Sequence, residues 1–196
     1  MSQHSHRLSI LSAAVGLTFL LAAGAAAAQG TPPSASSMKA GTTASIPAAD
    51  KAFVEKAAVG GLAEVSMGKM AQEKGSSDQV KQFGARMVED HSKANDDLKQ
   101  VASSKGITLP TDLDAKHKAK IDKMQKLSGA QFDRAYMDDM VADHKEDVAE
   151  FKKQASSGKD SDVKAFAAKT LPTLEDHLKM AQSTDAAVKG SKSASR

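Results

Sequence analysis

Four successive stretches of this chain carry apolar residues at spacings of three and four, and one ionisable side chain interrupts each near its middle. In the first, Phe53, Ala57, Gly60, Met67 and Ala71 leave a gap at Glu64; in the second, Val80, Phe83, Met87, Ala94, Leu98 and Val101 leave it at His91. In the third, Phe132, Tyr136, Met140, Val148 and Phe151 bracket His144; in the fourth, Val163, Phe166, Thr170, Leu174, Leu178 and Ala181 bracket His177. Such spacing keeps one face of a helix toward a core. The pattern predicts four amphipathic helices, each aiming one ionisable group inward. Helix formers dominate, and with aromatics at 4% of the chain the β-branched and aromatic runs that strands need are missing.

Punctuation residues set the wiring. Helix A is predicted over 50–74, stopping at Gly75. Ser76-x-x-Gln79 offers a capping box for helix B, which runs to Lys105 before Gly106. A shorter helix is expected over 111–127, with Leu113, His117, Ile121, Met124 and Leu127 on one side. Ser128-x-x-Gln131 can cap helix C, which ends at Gly158, and helix D covers 160–186. Short A–B and C–D links make antiparallel hairpins. The B–C link, 106–128, is long enough to return along the bundle and leave B and C parallel. The expected fold is therefore all-α, a ferritin-like four-helix bundle with a long B–C crossover containing a short extra helix. An up-down bundle with a decorated loop is the alternative. An internal repeat favours the crossover: Val80-Lys81-x-Phe83-x-Ala85-Arg86 recurs as Val163-Lys164-x-Phe166-x-Ala168-Lys169. Pro172 should kink helix D before His177.

The ends read differently. His4, His6 and Arg7 precede an apolar run over 8–21 and an Ala-rich stretch to Ala28, the form of a cleavable export signal. That run is shorter than the roughly 20 residues of a spanning helix, although an uncleaved anchor over 8–28 is the alternative. The expected organisation is a signal over 1–28, a flexible Ser/Thr/Pro/Ala linker over 29–49, the bundle over 50–188 and a disordered tail over 189–196, in a periplasmic protein that does not insert into the membrane once the signal is removed. The chain has no cysteine, hence no disulfide and no lipoprotein attachment site. Its net charge of +3 comes from the ends. Without Arg7, Lys39, Lys189, Lys192 and Arg196, 22 basic side chains face 24 acidic ones, a net of −2. No one-faced basic field for nucleic acid is present.

Glu64, His91, His144 and His177, converging from four helices, would suit one transition-metal ion: zinc, copper or iron. Met87, Met140 and Tyr136 are the side chains expected beside it. The alternative is a polar core layer in which the histidines bond one another, Glu64, Tyr136 or water, in a non-catalytic structural or interaction bundle of the cell envelope. Each histidine follows an aspartate (Asp90, Asp143, Asp176), which either faces solvent or orients a histidine on a neighbouring helix. In the crossover topology Met67, Met87, Met140 and Met180 fall on one side of the histidine layer; in an up-down bundle they split two and two. A thioether layer there favours copper, and the plain alternative is core filling. Gly60-Gly61 would permit close helix approach, and His117 is a packing or surface residue. No cysteine nucleophile, phosphate-cradling loop or Gly-x-Ser-x-Gly is present, so no catalytic residue is assigned and an oxidase or peroxidase is the weakest reading.

The segments Phe53 through Glu64, Met87-Val88-x-Asp90-His91-Ser92-x-Ala94-Asn95, Leu127-Ser128-Gly129-x-x-Phe132-Asp133, Met140-Val141-x-x-His144 and Leu171-Pro172-x-Leu174-x-x-His177-Leu178 resemble the bacterial domain-of-unknown-function family 4142. The resemblance covers almost the whole domain. It implies an exported, tethered helical bundle regarded as ferritin-like, with no established reaction, and places Glu64, His91, His144 and His177 at the family's recurring polar positions. Ferritin-like di-iron sites carry Glu-x-x-His on two helices. Here Val88, Val141 and Leu174 stand three before the histidines, which favours a single ion.

Overall fold

The computed structural model describes residues 46–190; the expected signal, most of the linker and the last six residues lie outside them. The described residues form five helices and no strand: α1 (Ala48–Lys74), α2 (Asp78–Ser104), α3 (Ala115–Gln125), α4 (Gly129–Ser157) and α5 (Ser161–Gly190). None is long and apolar enough to cross a membrane.

Two antiparallel hairpins, α1 on α2 and α4 on α5, make up the body. Ion pairs and hydrogen bonds give their relative directions. Asp50 at the start of α1 meets Gln154 at the end of α4 (2.7 Å), and Lys56 meets Glu146 and Glu150, so α1 and α4 run antiparallel. Along the other seam Asp90 pairs with His177, Asp97 with Lys169 and Lys105 with Asp160, so α2 and α5 are antiparallel too. It follows that α2 and α4 share a direction. The chain returns between them through α3, which packs on α1 and α4.

The two hairpins align at an offset of 83 positions, with Val80 equivalent to Val163 and Phe83 to Phe166. The match extends beyond that motif. Gly75 and Gly158 end α1 and α4, each closing the last turn on the carbonyl four residues back. Neither has a positive φ; glycine is required because a Cβ would stand 2.6 Å from that carbonyl oxygen. Each hairpin also caps the other's turn. Asp133 on α4 accepts the amides of Ser76 and Ser77, and Asp50 on α1 accepts those of Lys159 and Asp160. Buried carboxylates thus satisfy the orphan donors where α2 and α5 begin.

That exchange corrects the expected capping box. Ser77, not Ser76, is the N-cap of α2 and makes no side-chain cap bond; Ser76 gives its amide and hydroxyl to Asp133. Ser128 does occupy the N-cap of α4, again without a side-chain bond. The short helix begins later than expected, after Asp114, whose carboxylate accepts the His117 amide. Pro172 lies inside α5, which runs through it as one helix. Close backbone approach falls not at Gly60-Gly61 but one to two turns on: a Cβ on Gly84 would stand 2.7 Å from Gly68 O, and one on Gly68 2.7 Å from Gly84 O. Gly61 instead makes room for the Asn95 side chain.

The core divides in two. One cluster holds Met67, Met70, Met87, Met124, Met137 and Met140 with Phe83, Phe132 and Tyr136, and Met180 packs against it. The other holds Phe53, Val54, Leu98, Phe151, Phe166 and Leu174 and contains no methionine. All seven methionines of the described residues therefore gather in one half, the outcome expected of the crossover rather than the up-down arrangement.

Candidate metal centre

Between the two clusters, at the mid-length gap of each long helix, lie Glu64, His91, His144 and His177, which are 5%, 7%, 0% and 1% exposed. Three of the four come together. One ring nitrogen of each histidine lies within 4.8 Å of those of the other two, and ring centroids are 5.3–5.7 Å apart. Glu64, expected as a fourth ligand, is not in that group.

Two of the rings are held by their other nitrogen. His144 donates from Nδ1 to the Met140 carbonyl at 3.0 Å, one turn back on its own helix. His177 donates from Nε2 to Asp90 on α2 at 2.8 Å, and Arg86 braces that carboxylate from the solvent side. These bonds fix the tautomers and leave His144 Nε2 and His177 Nδ1 as lone pairs. Both atoms, like His91 Nε2, are buried without a hydrogen-bond partner. A carbonyl or carboxylate behind a ligating imidazole is the usual way such a ring is oriented. Burial lowers the pKa of all three; for His91 the neighbouring His144 and His177 push it down further, and for His177 Asp90 opposes the effect. The rings are therefore neutral at pH 7, the state that binds metal.

The three aspartates beside the histidines take different roles. Asp90 orients a histidine across the helix seam. Asp143 pairs with Lys120 of α3 at 2.6 Å, and Asp176 sits exposed beside Lys179. Met87 and Met140 are fully buried in the methionine half. Tyr136 stacks on Phe132 there at 5.6 Å, its hydroxyl buried without a partner and its pKa raised by burial and by Glu64. His117 bonds Asp114 on α3.

Glu64 belongs to a second group that sequence reasoning missed. It lines a cavity of about 70 Å³ together with Asp143 and Asp147 of α4, and His91 reaches the same cavity. Burial, then Asp143 and Asp139, raise the Glu64 pKa to about 8; burial and then Glu64 raise that of Asp147 to about 7. One signal could have revealed Asp147: it stands 83 positions after Glu64, the offset of the repeat.

Fold and site together define a class: an all-helical protein whose core encloses three neighbouring imidazoles. The chain belongs to the family described as a domain of unknown function, DUF4142, whose profile matches residues 35–184. Its fold is similar to the crystal structure of a DUF305 fragment from Deinococcus radiodurans, with a TM-score of 0.64 and 11% identity over 72% of this chain and 97% of that one. At that identity the likeness is one of fold alone. No curated protein matches the chain.

Proposed function

We propose that this protein is a ferritin-like four-helix bundle of the bacterial periplasm that binds one transition-metal ion through His91, His144 and His177 and serves metal handling. The observation that carries this reading is that His91, His144 and His177 bring ring nitrogens within 4.8 Å of one another while each ring has one buried nitrogen without a partner. A buried polar atom left unsatisfied costs about 1–3 kcal/mol, so three together favour a common ligand. Three protein nitrogens with a further position open is a coordination set that zinc and copper both accept. The methionine-filled half-core adjoining the imidazoles favours copper, as Cu(I), over iron.

The test is metal analysis of protein recovered from its exported compartment, with thermal unfolding beside a His91→Ala, His144→Ala, His177→Ala triple variant. An ion held only by the folded state at about 100 times its Kd adds about 2.7 kcal/mol. That corresponds to roughly 5–10 °C in Tm for a domain of this size. The wild type should show this rise with added Cu or Zn and the variant should not. Metal-free native protein whose Tm ignores both ions would leave only a polar core layer.

A further inference from the structure

The cavity beside the histidines has the composition of a second site. Five carboxylates line it (Glu64, Asp143, Glu146, Asp147 and Glu150) against two lysines, Lys56 and Lys116. Lys56 is already committed to Glu146 and Glu150, at 2.8 and 2.7 Å, and Asp143 is paired with Lys120. Glu64 and Asp147 have neither an ion pair nor a hydrogen bond. Glu64 Oε2 is buried with nothing to bond, and Glu64 is 5% exposed. Two carboxyl groups without ion pairs lining one cavity is an arrangement in which a cation would favour the charged form.

Space is present as well. Gly60 lines the same cavity, and nothing lies within 4 Å of where its Cβ would stand. Its counterpart in the repeat, at the offset of 83, is Asp143, so one hairpin supplies a carboxylate where the other leaves room. A volume of about 70 Å³ is several times the roughly 10–15 Å³ that one water requires, so a cation with a few of its waters can be accommodated.

We propose that Glu64 and Asp147, with Asp143 beside them, form a second cation site between α1 and α4, separate from the three imidazoles and selective for a hard divalent ion. Oxygen-only ligands suit Mn²⁺, Mg²⁺ or Ca²⁺, whereas the imidazoles suit copper and zinc. The two sites sort ions by ligand chemistry. His91 lines the same space. The site does not depend on the histidine centre being occupied.

Mn²⁺ is the probe, its free aquo ion followed by electron paramagnetic resonance during titration of metal-free protein. One Mn²⁺ is expected in the wild type and in the triple histidine variant. Glu64→Gln and Asp147→Asn should each weaken it at least about tenfold, as loss of one charged ligand does, while the Zn²⁺-induced rise in Tm is retained. If the triple variant does not fold, Zn²⁺-loaded wild type replaces it, and Mn²⁺ should still bind. The proposal is overturned if the wild type binds no Mn²⁺, if Glu64→Gln and Asp147→Asn bind it as the wild type does, or if blocking the histidines abolishes it. The Zn²⁺ response tests the imidazole centre independently, so either site can fail alone.

Discussion

Replacing Glu64 by Gln should stabilise the metal-free protein, and by more as the pH rises. The carboxyl is 5% exposed with one oxygen unpartnered, and burial raises its pKa from 4.5 to about 8. In the folded protein it keeps its proton up to about pH 8; in the unfolded chain it releases it near 4.5. Between those values the folded form binds more protons, so stability must fall as pH rises. The loss begins above the unfolded pKa and is complete above the folded one. Spread over that interval at about 1.4 kcal/mol per pH unit, the fall amounts to about 5 kcal/mol. Water entering the cavity reduces it, and ~2–5 kcal/mol is the range to expect. Asp147, raised to about 7, adds a decline of the same sign. Gln has the shape of the protonated acid and no proton to lose, so the variant should retain only the Asp147 part. Urea unfolding of both proteins in chelator at about pH 5, 7 and 9 reads the difference directly. The curves should nearly coincide at the acid end and separate at the alkaline end, with Glu64→Gln the more stable. Parallel pH profiles, or a variant less stable at alkaline pH, would show that Glu64 is ionised and satisfied in the fold, and the reasoning would be wrong. Saturating Mn²⁺ should reverse the order, because the ion stabilises only the charged side chain.

Asp90→Ala removes the acceptor behind His177 Nε2 and should weaken Zn²⁺ or Cu binding about 10–100-fold in a competition titration, with little change in fold by circular dichroism. Gly84→Ala places a Cβ 2.7 Å from Gly68 O and from Ala71 Cβ, so α1 and α2 must separate; a loss of about 1–3 kcal/mol in urea is expected. Asp133→Ala leaves the Ser76 and Ser77 amides without their acceptor and should cost about 1–3 kcal/mol, with faster hydrogen exchange at those two amides.

Helix number, hairpins and the return crossover were legible in the sequence because each rests on a local signal. Period-three-and-four spacing reports a buried face, and Gly75, Gly106 and Gly158 mark ends. The histidines were legible for the same reason, as polar residues on an apolar stripe. What escaped was the identity of partners across helices. Ser76-x-x-Gln79 has the spacing of a cap, yet Asp133, 57 residues away, outcompetes it with two oxygens for three donors. Glu64 was recognised as buried but grouped with the histidines. Helical phase gives the face on which a residue sits and not which neighbour it meets, and Asp147 was passed over beside the conspicuous His144. Gly60-Gly61 misled in the same way, since which glycine meets backbone depends on where two helices cross.

The repeat separates what the two hairpins share from what is particular to the site. Turn glycines, capping aspartates and the inward carboxylates Glu64 and Asp147 recur at the offset of 83. The histidines do not: the counterparts of His91, His144 and His177 are Leu174, Gly61 and Ala94. A symmetric arrangement would need an even number of ligands around its axis, whereas three imidazoles cannot be so arranged with every ligand off the axis. The histidine centre is therefore asymmetric by construction, built where Gly61 leaves room for Asn95 in one hairpin and its equivalent position carries an imidazole in the other. Glu64 and Asp147 occupy equivalent positions in the two hairpins, within α1 and α4 respectively. A polar layer that served stability alone would gain from satisfying its members within the fold. Here the structural carboxylates Asp50 and Asp133 are satisfied by amide donors, whereas Glu64 Oε2, His91 Nε2, His144 Nε2 and His177 Nδ1, four of the seven buried side-chain atoms without a hydrogen-bond partner among the described residues, belong to the mid-helix polar positions. Selection for stability accounts for the caps; the ion proposed above would account for the unpartnered ring nitrogens.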